Sequence, residues 1–193
     1  NVDEAWVPSS YVRNCYIDSG VPAEKVQVIP NGIDPEIFRP DAPTLPIKTD
    51  KRYKFLFVGG TIGRKGPDIL LNTYLETFTA ADDVCLVIKD FGGQTFYSGQ
   101  TLAEVIAQAQ AKPNAPEIVY LDDDLPPEQV AGLYTACDCL VHPYRGEGFG
   151  LPVLEAMACG LPVLCTGGGS TDDFATDQYA YRIPAVRKST KPW

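Results

Sequence analysis

The stretch Gly146-Glu147-Gly148-Phe149-Gly150-Leu151-Pro152-Val153-Leu154-Glu155-Ala156 brings together residue types suited to a phosphorylated, hydroxyl-rich ligand. Gly146, Gly148 and Gly150 let a backbone approach a ligand closely. The apolar run behind them predicts a helix opening near Gly150 or Leu151, whose free N–H groups and positive dipole end favour phosphate. Glu147 lies in the loop and Glu155 eight positions later inside the helix, so the two carboxylates can bracket one extended ligand. Each can accept paired hydrogen bonds from neighbouring hydroxyls of a sugar or ribose ring. Arg64 and Lys65, close behind Gly59 and Gly60, form a short basic cluster that suits a small anion. Lys89, followed by Asp90, stands at a strand end on the same side of the expected sheet. His142, the only histidine, precedes Pro143 and reads as structural, and Asp122-Asp123-Asp124 reads as a turn leading into a helix.

Loops this far apart in sequence meet only if a scaffold gathers them. After a proline-rich passage from Pro40 to Asp50, compact β-rich runs alternate with longer helical patterns, which predicts a parallel sheet with crossover helices. Strands are expected at Tyr53 to Val58, Val84 to Ile88, Glu117 to Leu121, Cys139 to His142, Pro162 to Cys165 and Tyr179 to Ile183. Helices are expected at Gly66 to Thr77, Thr101 to Ala111, Pro126 to about Cys137 and Leu151 to Cys159, with a short helical turn at Thr171 to Ala175. Five or six such units in series make a doubly wound, Rossmann-like α/β domain, in which ligands bind beyond the carboxyl ends of the strands. The domain is assigned to residues 41–193. Residues 1–40, with strand, N-cap and helix signals from Trp6 to Ser19 and a strand at Val26 to Ile29, read as the tail of a preceding domain. The turn cluster from Pro30 to Pro35 is the expected hinge.

Composition narrows the function classes. With 16 basic against 25 acidic side chains the net charge is -9, and no basic patch offsets it, so nucleic acid is not an expected partner. The six cysteines lack paired C-x-x-C spacing and mostly sit in apolar runs, as expected of reduced thiols in a cytoplasmic protein. No apolar stretch is long enough to span a bilayer. The chain does not begin with Met and ends at Lys191-Pro192-Trp193, which reads as a fragment of a longer protein.

The run from Gly146 to Ala156 resembles the two-glutamate signature of the retaining, group-1 GT-B glycosyltransferases. Four further segments agree in order and spacing: VIPNGID at Val28 to Asp34, FVGG then RKG from Phe57 to Gly66, LYTACDCLVHPYRGEGFG from Leu133 to Gly150, and GLPVLCTGGG from Gly160 to Gly169. The resemblance implies a C-terminal, donor-binding half. Glu147 would contact hydroxyls of the donor sugar and Glu155 the ribose hydroxyls. The backbone amides of Phe149, Gly150 and Leu151 would meet sugar and phosphate, and Lys65 would neutralise the diphosphate leaving group, with no cofactor and no metal. Many relatives carry an arginine just after the first strand where this chain has Gly59 and Gly60; either Arg64 takes its place from the other end of the loop, or Arg64 points to solvent and phosphate binding rests on Lys65 and the helix N-terminus. The implied reaction is hexosyl transfer from a nucleoside-diphosphate sugar to a saccharide, lipid or other hydroxyl acceptor, completed by an N-terminal domain of the same protein. A peripheral association of the full-length protein with a membrane is compatible with this reading.

Two rivals accompany that expectation. One is a non-catalytic nucleotide-sugar-binding or assembly module that keeps the fold without transfer. The other is a dinucleotide-dependent oxidoreductase, which shares the fold class but needs G-x-G-x-x-G after the first strand, where this chain reads G-G-T-I-G-R.

Overall fold

The computed structural model describes residues 2–93 and 97–186; residues 187–193, assigned from sequence to the second domain, lie outside the described residues. The described residues form two sheets. The first is a parallel pair, β1 (Ala5–Val7) with β2 (Val26–Val28), joined by helix α1 (Ser10–Asp18). Ser9 caps α1 by accepting a hydrogen bond from the Val12 N–H, as its type at the helix start implies.

The second sheet has six parallel strands in the order β5-β4-β3-β6-β7-β8. Its strands are β3 (Tyr53–Val58), β4 (Val84–Lys89), β5 (Glu117–Leu121), β6 (Cys139–His142), β7 (Val163–Thr166) and β8 (Tyr181–Ile183). Four helices follow successive strands: α2 (Pro67–Thr77), α3 (Ala103–Gln110), α4 (Pro127–Thr135) and α5 (Leu151–Ala158). The expected elements are all found, with ends moved by one or two residues. The final helical turn is a 3-10 turn at Ser170–Asp173, and a second one, Gly63–Lys65, carries Arg64 and Lys65.

Alternation along the strands builds two cores because both faces are covered. Leu56, Val58, Cys85, Val87 and Leu140 pack on one face with Leu133 and Tyr134 of α4 and Val153 and Ala156 of α5. Phe57, Leu86, Ile88 and Val141 pack on the other with Leu70 and Tyr74 of α2 and Ile106 of α3. Cys85, Cys137, Cys139, Cys159 and Cys165 are buried free thiols within these layers, while Cys15 is exposed. No helix among the described residues is long and apolar enough to cross a membrane.

The proline-rich passage is packed against the sheet domain. Ile37, Phe38, Leu45 and Ile47 lie on the first core, and the Leu45 N–H donates to the Gly132 carbonyl of α4 at 2.9 Å. Gly132 is needed there, since a Cβ would sit 2.5 Å from the Pro43 carbonyl oxygen. Packing of the sheet domain thus reaches back to residue 37.

The strand order reverses between β3 and β6. Loops leaving their carboxyl ends diverge to opposite faces, which opens a crevice at that switch point. It separates Gly59–Lys65 from Pro143–Gly150.

Candidate functional site

A cleft of about 460 Å³ occupies this crevice. Glu147, Glu155, Lys65 and Arg64 line it, as do Gly59 and Gly60 on the β3 side and Phe149, Gly150 and Leu151 at the head of α5. No side chain caps the α5 N-terminus and no acid lies in its first turn, so its backbone donors face the cleft without an internal anion. Gly150 adopts φ +94, and a Cβ there would approach the Thr171 side chain to 2.6 Å.

Lys65 is buried, and its ammonium lies 2.8 Å from Glu147 Oε1. Gly59, at φ +140, makes room for it, because a Cβ would come within 3.1 Å of Lys65 Nζ. Gly60 makes room for the Tyr97 ring in the same way. Arg64 is half exposed; its guanidinium reaches Glu147 Oε2 at 3.4 Å and donates to the Gly146 carbonyl at 3.2 Å. The two basic residues therefore approach one carboxylate from the opposite loop.

Cross-loop bonds fix this approach. The Arg64 carbonyl accepts from the Arg145 and Gly146 N–H groups at 2.7 and 3.0 Å. Arg145 in turn donates to both Asp68 oxygens at 2.7 Å and to the Gly63 carbonyl. Such a two-pronged pair carries directional information that a lysine could not supply.

The two carboxylates are driven apart in acidity. Burial would raise Glu147, but the hydrogen bond from His142 and the Lys65 charge outweigh it and hold the carboxyl at about 2. Burial raises Glu155 above the ordinary carboxyl value, against a hydrogen bond from Tyr134 at 2.7 Å and the Lys65 charge. One acid is thus firmly ionised while its neighbour is the readier to take a proton.

For Glu155, a folded pKa above the unfolded one means a stability contribution present below the unfolded pKa and lost as pH rises through the folded pKa. Glu155→Gln is therefore expected to raise the thermal midpoint at pH 7 while weakening ligand binding. A lower midpoint in a pH 7 melting curve would contradict the burial argument.

Lys89 is not brought to the cleft. It ends β4 fully buried, donates to the Asp90 carbonyl at 2.5 Å and lies 4.0 Å from the centre of the Phe91 ring. Burial pushes its pKa down, against the Asp124, Asp90 and Asp122 charges. Asp90 organises the loop: it accepts from the Thr61 N–H, the Thr61 hydroxyl, the Phe91 N–H and the Tyr120 hydroxyl. Among the described residues, no three His, Cys, Asp or Glu side chains are grouped to hold a metal ion.

Pro8, Asn31 and Tyr97 also line the cleft without being expected there from the sequence, and Phe91 joins them from the loop after β4, whose position beyond a strand end does point to the ligand side. Pro8 and Asn31 come from the first forty residues. Ser9 secures that segment to the glycine-rich loop by donating to the Gly148 carbonyl at 2.8 Å. Asn31 stands within the VIPNGID segment, whereas no local pattern marks Pro8 or Tyr97 as a cleft residue.

The family model for glycosyl transferases of group 1 matches residues 43–185, the stretch that builds the sheet and most of the cleft. The chain belongs to this family. It is 33% identical over 159 residues to D-inositol 3-phosphate glycosyltransferase of Segniliparus rotundus, an overlap covering 80% of this chain and 34% of that protein. It is 25% identical over 193 residues to putative glycosyltransferase 45 of a Sulfolobus islandicus filamentous virus, covering 100% of this chain and 49% of the relative. The chain thus spans about a third to a half of the length of these curated relatives.

Among solved structures, sucrose-phosphate synthase from Thermosynechococcus elongatus superposes with a TM-score of 0.72 at 24% identity, over 91% of this chain and 43% of that one. Anabaena HepE in complex with UDP-glucose superposes with a TM-score of 0.71 at 20% identity, over 89% and 47%. This group 1 chain therefore has the Rossmann-like fold of one half of the GT-B glycosyltransferases.

Proposed function

We propose that this chain is the donor-binding half of a retaining glycosyltransferase, moving a hexosyl group from a nucleoside-diphosphate sugar to a hydroxyl acceptor. The observation carrying this reading is the convergence in one cleft of the α5 N-terminus, two basic residues and two unlike carboxylates. The HepE complex with UDP-glucose, which shares the fold, supports it.

In this reading the amides of Phe149, Gly150 and Leu151 and the Lys65 ammonium hold the diphosphate. Glu147 accepts hydrogen bonds from sugar hydroxyls, and Glu155 from the ribose through the oxygen that Tyr134 leaves open. As the anomeric C–O bond breaks, negative charge grows on the departing phosphate oxygen, where a fixed cation lowers the barrier most. That oxygen takes the acceptor's proton on the same face as the new bond forms, so no enzymic nucleophile is required. Arg64 supplies a further positive charge at the edge of the same cleft. Lys65 and Arg64 carry out charge neutralisation without a divalent ion, so a chelator is expected to leave the rate unchanged. The acceptor, a saccharide, lipid or other hydroxyl compound, binds largely to an N-terminal domain. The 193 residues alone are expected to bind nucleotide weakly and to transfer nothing.

Calorimetric titration of the full-length protein with UDP, GDP and ADP sugars should show binding for one base, and Glu155→Ala should weaken it at least about tenfold, the scale of a lost charge-assisted hydrogen bond. Absence of binding by all three would end the donor-site reading. Anomeric inversion in the product, read by proton NMR, would end the retaining one. Transfer by the full-length protein that is untouched by Glu147→Ala and Lys65→Ala would take this cleft out of the reaction and favour the reading of these residues as a non-catalytic binding or assembly module.

A further inference from the structure

His142 has no exposed surface, yet its imidazole reaches the cleft through a carboxylate. Nε2 lies 3.4 Å from Glu147 Oε1, the same oxygen that Lys65 approaches at 2.8 Å. Among the described residues Oε2 is approached by the half-exposed Arg64 at 3.4 Å, and Glu147 lines the cleft. We infer that His142 is a positioning residue: its neutral imidazole, protonated on Nε2, holds the Glu147 carboxylate against the cleft wall independently of Lys65.

The tautomer follows from bond capacity. An ionised carboxylate only accepts, so Nε2 must carry the proton. A neutral ring then leaves Nδ1 as a bare acceptor, and Nδ1 is a buried nitrogen with no hydrogen-bond partner among the described residues. The ring stacks on Phe57 with centroids 5.7 Å apart and lies 5.8 Å from the Tyr144 ring, so aromatic walls enclose it. Burial and the Lys65 and Arg64 charges keep the imidazole from gaining a second proton, against the pull of Glu147. A structural histidine would be expected to satisfy Nδ1 as well. This one leaves Nδ1 unsatisfied while directing its single proton to the site.

The need for a second anchor rests on the donor-site reading. If a diphosphate draws the Lys65 ammonium away from Oε1, Glu147 loses its shortest contact when a sugar must be held in register. His142 cannot be drawn away, because β6 and Phe57 fix its ring. It therefore preserves the carboxylate position through the exchange.

Nitrogen-15 NMR of the histidine side chains of the full-length protein, with the His142 signal assigned by its loss in His142→Phe, tests the tautomer directly. The Nε2–H form is expected throughout the neutral range, and a proton on Nδ1 would overturn the proposal. His142→Phe keeps a ring against Phe57 but cannot donate. It is expected to lower kcat at least tenfold and to weaken nucleotide-sugar binding, while affinity for the nucleoside diphosphate alone stays within twofold. His142→Gln, which can still donate, should recover most of kcat. Equal damage from both variants, or parallel loss of diphosphate affinity, would mark a packing role and overturn the inference. Normal turnover in His142→Phe beside an impaired Glu147→Gln would also overturn it, whereas normal turnover in Glu147→Gln would defeat the donor-site reading itself.

Discussion

Lys65→Ala is expected to lower kcat/KM for glycosyl transfer by about two to three orders of magnitude, the usual effect of removing one fixed donor from a developing anion. The proposed role in charge neutralisation is one source of the loss. The other is visible in the ion pair: Lys65 and Glu147 lie 2.8 Å apart with side chains only 11% and 9% exposed. Removing one partner leaves a nearly buried carboxylate with His142 and the half-exposed Arg64, at a cost of about 3 kcal/mol in stability. Glu147 loses a cause of its low pKa, now about 2, so its protonation should move to higher pH. The acid limb of the pH–rate profile should rise in the variant. The double change Lys65→Met with Glu147→Gln should recover much of the lost stability, since no charge is stranded, and should remain inactive. Recovery of activity in the double variant, or wild-type kcat/KM in Lys65→Ala, would remove Lys65 from the chemistry.

Gly66→Ala should cause the largest loss of stability. Gly66 joins the 3-10 turn bearing Arg64 and Lys65 to α2 at φ +71, a conformation costing an L-residue about 1–2 kcal/mol. A Cβ there would stand 2.0 Å from the Pro143 carbonyl oxygen and 2.9 Å from its carbon. Backbone lies on both sides, so no side-chain rotation relieves the clash, and overpacking adds about 1–3 kcal/mol. The combined effect is about 3 kcal/mol or more, lowering the thermal midpoint by about 10 °C. Because the clash pushes apart the loops carrying Lys65 and Glu147, donor affinity should fall as well. Gly63→Ala is the control: nothing lies within 4 Å of its Cβ position. Melting curves that place both variants together would refute the close approach.

The inner strands β3, β4 and β6 were legible because apolar residues fill nearly every position, as expected when both sheet faces are covered. The glycine-rich loop and its helix were legible because glycine spacing and apolar period are local properties. Local context and family resemblance point to Glu147, Glu155, Arg64 and Lys65, and all four line the cleft. Position alone, at a strand end beside the same crevice, points to Lys89. Its side chain turns into the protein and satisfies itself on the Asp90 carbonyl, an orientation decided by packing against Phe91.

The amino-acid sequence by itself thus determined a doubly wound α/β domain, the loops at its carboxyl edge and the acids and bases those loops carry. Period, turn chemistry and glycine placement act over a few residues and leave their mark in the order of the chain. Only the tertiary structure decided how these groups meet. It paired Arg64 and Lys65 with Glu147, set Tyr134 behind Glu155 and His142 behind Glu147, and locked Arg145 onto Asp68. It also brought Pro8 and Asn31 across from the first forty residues to complete the wall. Those contacts join segments up to well over a hundred positions apart, as Ser9 to Gly148 does. Strand order and loop packing create them, and no local period in the chain encodes their distances.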